Sequence, residues 1–162
     1  DVYREVAREP LAADLRRAAA HLLLALPRDA QESLLPGTYL VRNIAGFAPS
    51  ENAFAIPERL APGRRIGFAH RDPEAARDDL KAMLAGLAGG SPACGLYFDC
   101  CARGGGFLGA QDLEAAYLDQ ALAPARVLGV YGSCEIGPIA GRSELLTYTG
   151  VLALLDAGIP AR

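Results

Sequence analysis

Lysine is nearly absent. Lys81 is the only one in 162 residues, and 16 Lys and Arg stand against 19 Asp and Glu, for a net charge of −3. A nucleic-acid surface needs a basic stripe, which this balance does not supply. Histidine occurs twice, at His21 and His70. The four cysteines, Cys94, Cys100, Cys101 and Cys134, form no CxxC pair and have no histidine nearby in sequence. That argues against a disulfide scaffold and against a zinc site, and it fits a reduced, cytoplasmic setting. No apolar run approaches the ~20 residues of a membrane span. Residues 18–26 follow Arg16 and Arg17 but continue an amphipathic helical pattern, so they do not read as a signal peptide. No Gly-Lys-Ser/Thr closes the glycine run 104–106, which excludes a phosphate loop. There is no internal repeat and no low-complexity linker. The chain opens on Asp1 rather than Met, and is read as part of a longer protein.

What is present suits one packed domain: 51% of the residues are hydrophobic. The spacing predicts a helix over 10–26, with Pro10 at its first position and Leu11, Leu15, Ala18, Leu22 and Leu26 on one stripe. A polar connection over 28–37 follows. Strand-like runs at 39–47, 53–56 and 65–70 are joined by short turns and read as an antiparallel meander. Asp72-Pro73-Glu74 is a helix start, with Ala76, Leu80, Met83, Leu84 and Leu87 as its buried stripe and Gly89-Gly90 as its stop. A strand over 94–102 leads into a flexible glycine loop over 104–109. A helix over 112–122 has Leu113, Ala116, Tyr117 and Leu122 as its core candidates. Strands over 127–136 and 145–155 flank a hairpin-length loop over 137–143. The expected fold is α+β, in the order αβββαβαββ. It is an antiparallel sheet of about six strands with helices packed on one face.

Strand alternation sorts the polar residues. Tyr97, Asp99, Cys101 and Arg103 fall on one face, with Leu96, Phe98 and Cys100 on the other. Further on, Tyr131, Ser133 and Glu135 share a face, opposite Leu128, Val130, Cys134 and Ile136. A lone carboxylate such as Glu135 inside an apolar strand needs a partner or a site. If the two strands are neighbours, Arg103 comes within reach of Glu135, and Asp99 within reach of Ser133 or Tyr131. An Arg–carboxylate pair offers fixed donors and acceptors to an amino-acid-like ligand. The same alternation also describes an ordinary half-exposed sheet. Cys101 has no adjacent base, and no complete nucleophile–base–orienter set can be assembled, so the chain does not read as an enzyme.

The segment Tyr97-Phe98-Asp99-Cys100-Cys101-Ala102-Arg103 with Leu108-Gly109, followed by Gly129 to Cys134 and Glu135-Ile136-Gly137-Pro138, resembles the C-terminal half of the FIST domain. The likeness extends over about 37–156, after a helical lead-in over 1–36, and is strongest from Leu96 to Pro138. It departs at Leu145-Leu146-Thr147-Tyr148-Thr149, where many relatives carry a His-Asn-Thr-like start. The resemblance implies an intracellular sensory domain that binds a small polar ligand, such as an amino acid, and signals to an output protein. It implies an N-terminal FIST half as a further partner. On this reading Asp99, Arg103, Gly104, Gly105, Tyr131, Ser133 and Glu135 are the ligand-binding residues, with the glycines as a flap. Some FIST proteins bind haem as nitric-oxide sensors, which brings in His21 or His70 as an axial ligand. A protein-interaction module without a ligand is the remaining alternative.

Overall fold

Leu22 to Leu26 form a buried strand, not the end of a helix. In the computed structural model, which describes residues 2–28, 33–87 and 89–156, this run is the middle strand of a sheet. The chain begins with α1 (Val2–Ala7), which the apolar spacing did not predict. A 3-10 turn at Leu11–Ala13 and the short α2 (Leu15–Ala19) follow, the latter capped by Asp14 through the Arg16 and Arg17 amides. Then comes β1 (Leu22–Pro27), every residue of it buried. The helix expected over 10–26 is thereby corrected. A short continuous apolar run suits a buried strand as well as a buried helix, and periodicity alone cannot choose.

The next elements are β2 (Tyr39–Arg42), β3 (Gly46–Ala48), β4 (Ala53–Ala55) and β5 (Gly67–His70). The expected meander is not what forms. β3 and β4 pair as a small hairpin, while β2 and β5 both pair antiparallel with β1, which lies between them. Tyr3 packs against Phe47, Phe54 and Phe68, with its hydroxyl donating to the Leu22 carbonyl at 3.3 Å. Arg42 is buried and donates to Glu58, which also receives Arg28. The residues through Arg71, with Pro138–Glu144, make up this first compact unit. The polar connection expected over 28–37 lies partly outside the described residues.

The second unit takes Asp72–Gly137 and the residues from Leu145 onward. It opens with α3 (Pro73–Gly86), whose Asp72 cap accepts from the Glu74 and Ala75 amides as the sequence predicts. Next come β6 (Pro92–Cys100), a 3-10 turn at Cys101–Arg103, α4 (Gly105–Leu108) and α5 (Leu113–Leu122). The chain continues through β7 (Arg126–Gly132), β8 (Glu135–Ile139), β9 (Arg142–Leu146) and β10 (Gly150–Asp156). β6 is the central strand, antiparallel to β10 and parallel to β7. Parallel neighbours need a crossover, and the stretch containing α4 and α5 supplies it. Leu80 and Leu84 of α3 and Leu118 and Leu122 of α5 pack with Tyr97 against one face of this sheet.

Among the described residues the strands therefore fall into two three-stranded and two two-stranded sheets rather than one sheet of about six. The strand expected over 127–136 breaks after Gly132, and β8 pairs with β9 across the turn at Ala140-Gly141. Both turn residues have positive φ, 48° and 76°, as a two-residue hairpin of this hand requires.

Candidate functional site

The side of β6 that faces the helices carries polar side chains. Tyr97 and Asp99 point to it, two residues apart on the pleat. On α5 the residues four apart, Glu114, Leu118 and Leu122, are all buried, so a carboxylate occupies the first position of an apolar stripe. Tyr97, Asp99 and Glu114 are each 6% exposed or less. A charge at such depth is tolerated only with partners. Arg103, held by the 3-10 turn after β6, supplies them. Its Nη2 donates to Glu114 Oε1 at 2.5 Å, and its Nε lies 3.3 Å from Asp99 Oδ1.

One cation does not satisfy two carboxylates. Asp99 Oδ1 and Glu114 Oε2 are buried and accept no well-directed hydrogen bond. A proton held between the two carboxyls resolves this. Burial first, then the hydrogen bond and charge of Glu114, push the Asp99 carboxyl up to about 8, against the pull of Arg103. The Tyr97 hydroxyl is raised by burial and by the charges of Glu114 and Asp99. At neutral pH the two carboxyls thus share one proton beside Arg103.

A cleft of about 250 Å³ opens onto this cluster. Tyr97, Asp99 and Glu114 line it from within, and Asp112, Asp119 and Tyr131 stand around it. Tyr131 is the register partner of Asp99 on β7 and is 56% exposed.

The residues expected to meet at the site divide. Asp99 and Arg103 come together, and Tyr131 joins them at the cleft. Arg103 pairs with Glu114 and Asp99, not with Glu135. The strand break after Gly132 takes Ser133 and Glu135 off the strand that carries Tyr131. Ser133 is exposed in the turn and does not line the cleft. Glu135 begins β8, is buried, and accepts from the Thr149 hydroxyl at 3.2 Å. Burial raises its carboxyl, while Thr149 and the charge of Arg103 lower it. Gly104 and Gly105 lie in a helix start rather than in an irregular loop: Gly104 caps α4 and Gly105 begins it. His21 precedes β1 and His70 ends β5. Both are exposed, with parallel rings 6.5 Å apart in the first unit. Among the described residues no three His, Cys, Asp or Glu side chains are placed to hold a metal ion.

The sequence profile of the FIST C domain matches residues 1–138. The chain belongs to the FIST C domain family. This is a family of sensory domains in signal transduction, not of catalysts. The match takes in the segment before 37, so the elements from α1 to β5 are part of the family domain. The chain is 33% identical over 121 residues to an uncharacterized protein of Mycobacterium tuberculosis, covering 73% of this chain and 32% of that protein. It is likewise 33% identical over 125 residues to an uncharacterized protein of Mycobacterium bovis, covering 73% of this chain and 31% of that protein. The chain thus spans about a third of the length of these curated relatives. No solved structure matches it significantly. Among the described residues no helix is long and apolar enough to cross a membrane.

In this FIST C domain the polar cluster includes residues that the strand pattern missed. Glu114, Asp112 and Asp119 come from the α5 region. Glu114 was legible in principle, because it stands four residues before Leu118 and eight before Leu122. Of the expected core residues Leu113, Ala116, Tyr117 and Leu122, Leu122 is in the core and Tyr117 packs against it, while Ala116 is exposed.

Proposed function

We propose that this FIST C domain is an intracellular small-ligand sensor whose ligand enters the cleft bounded by Tyr97, Asp99, Glu114 and Tyr131. One observation carries the reading. Asp99 and Glu114, two buried carboxyl residues held by Arg103, line a cleft of about 250 Å³ together with Tyr97 and Tyr131, and a concave site with a few convergent polar groups is where small ligands bind. Arg103 holds the carboxyls in place, and Tyr131 stands at the mouth. A small polar ligand gains burial and hydrogen bonds from the polar side chains that line it. Of the other expected site residues, Ser133, Gly104 and Gly105 stay outside this assignment, and Glu135 with Thr149 supports the strand next to it.

The partners in this reading are the N-terminal half of a FIST protein and a signalling output protein. The outer face of the β10–β6–β7 sheet supports a protein partner, since Phe98 and its register partner Val130 are exposed there, with Leu128 two residues along the same strand. Haem is not supported by the histidines. Both are exposed side by side, whereas an axial ligand sits in an apolar enclosure.

The test is a thermal-shift screen of the full-length protein against small metabolites and haem. A ligand that binds the native state raises the melting temperature. A shift lost in Tyr131→Ala and Glu114→Gln variants that still fold supports the cleft. A shift retained in both places the site elsewhere.

A further inference from the structure

Away from the cleft, the β10–β6–β7 sheet has a second face. On the side turned from α3 and α5, the register aligns side chains across the three strands. Val151, Phe98 and Val130 form one row, and Ala153, Leu96 and Leu128 form the next. No charge falls in either row. Phe98, Leu128 and Val130 are exposed. A contiguous apolar face of this kind marks a docking surface. β6 and β7 are also parallel, and parallel strands belong to sheets covered on both faces.

The free edge of β7 makes the same demand. Among the described residues β7 has a strand on one side only. An edge strand leaves the N–H and C=O groups of alternate residues unpaired, and proteins blunt such edges with bulges, proline or charge. β10, the opposite edge, has a register shift at Leu155/Asp156 and ends on that acid. β7 runs in unbroken register with β6 from Arg126 to Gly132, has no proline, and carries its one charge at its first position.

We propose that the protein's own chain, outside residues 1–162, completes this sheet. A strand of it pairs along β7, and a helix joined to that strand covers Phe98, Leu128 and Val130. A strand–helix unit meets both demands at once, because the helix of such a unit packs back onto the face of the sheet its strand extends. About two-thirds of the length of the curated relatives lies beyond the stretch this chain matches, which is ample for such a unit. A second copy meets only one demand. Two β7 strands paired about a two-fold axis leave both outer faces bare, and bring Asp112 and Asp119 beside one β7 toward those beside the other. Two sheets packed face to face leave the β7 edge open. The outer face then belongs to the protein itself rather than to the output protein, whatever ligand the cleft takes.

The experiment is amide hydrogen exchange on the full-length protein, read residue by residue over Arg126–Gly132 by mass spectrometry. The expected result is slow exchange at every amide of β7, unchanged on about hundredfold dilution. Fast exchange at alternate residues, the pattern of an open edge, overturns the proposal. Protection that fades on dilution overturns it too, and assigns the edge to a second copy. Leu128→Lys tests the face. A lysine on a solvent face changes the melting temperature by less than about 2 °C, whereas one buried under a helix lowers it by at least about 5 °C. The larger loss is expected, and the smaller one overturns the proposal. If Leu128→Lys does not fold, Leu128→Ala is read against the same two limits, since truncating a buried leucine is also costly. A ligand that shifts the melting temperature through the cleft does so under each of these outcomes, so the sensory reading is decided separately.

Discussion

Gly150 lies directly against Tyr97. It pairs with Asp99 across β10 and β6, and a Cβ at 150 would collide with the Tyr97 hydroxyl and ring. Tyr97 is buried in the core formed by α3 and α5, so its ring has little room to retreat. Overpacking of this kind costs about 1–3 kcal/mol. Gly150→Ala is expected to destabilise the chain by that amount in urea unfolding. It should also weaken any ligand of the cleft, because Tyr97 lines it. A variant as stable as the natural protein would show that the ring moves freely.

The Arg103–Glu114 pair has a different energetic character. Both side chains are largely buried, at 13% and 6% exposure. Removing one partner strands the other charge, at a cost of about 3–5 kcal/mol. Replacing both with apolar residues of similar size removes the desolvation penalty along with the attraction. Arg103→Met is therefore expected to be strongly destabilising, and Arg103→Met with Glu114→Leu much less so. Urea unfolding of the two variants decides. A double variant no more stable than the single one would mean that Glu114 without Arg103 is not a stranded charge.

Asp72 shows where local chemistry was sufficient. The Asp-Pro-Glu signature predicts a helix start, and the Asp72 carboxylate accepts from the amides of Glu74 at 2.8 Å and Ala75 at 3.3 Å. Asp72→Ala is expected to cost about 1 kcal/mol in thermal or urea unfolding, with Asp72→Asn close to neutral. Equal losses in the two variants would point to charge rather than capping.

Signals that depend on tertiary placement were less legible. Leu22 to Leu26 carry a stripe compatible with a helix, and only the pairing of β1 with β2 and β5 makes them a strand. Alternation along β6 correctly separated Tyr97 and Asp99 from Leu96 and Phe98. It could not say which face the helices would cover, and they cover the polar one. Phe98 at 42% and Leu128 at 71% exposure are left outside. The Arg103–Glu135 pairing failed because alternation was carried past the end of each strand, through Cys101 in one case and Gly132 in the other. The acidic partner came instead from a helix, and strand arithmetic cannot reach across layers. The family likeness did not depend on these details, since it rests on residues at strand ends and turns.

The proton on Asp99 makes stability depend on pH. Its carboxyl moves from 3.8 to about 8 on folding. The folded state thus binds this proton more tightly than the unfolded chain does. A carboxyl raised in this way contributes stability that is fully present below pH 3.8 and is lost as the pH rises through about 8. Asp99→Asn keeps the shape and has no proton to lose. The natural protein should therefore lose stability relative to Asp99→Asn between pH 4 and pH 8, with the difference levelling off above about 8. Burial also raises Glu135, whose titration is common to both proteins and cancels in the comparison. Urea midpoints of the two proteins at pH 5, 6, 7 and 8 measure the effect. A difference that stays constant across that range would mean Asp99 is ionised throughout, stabilised by Arg103 alone. The proton shared with Glu114 would then be absent.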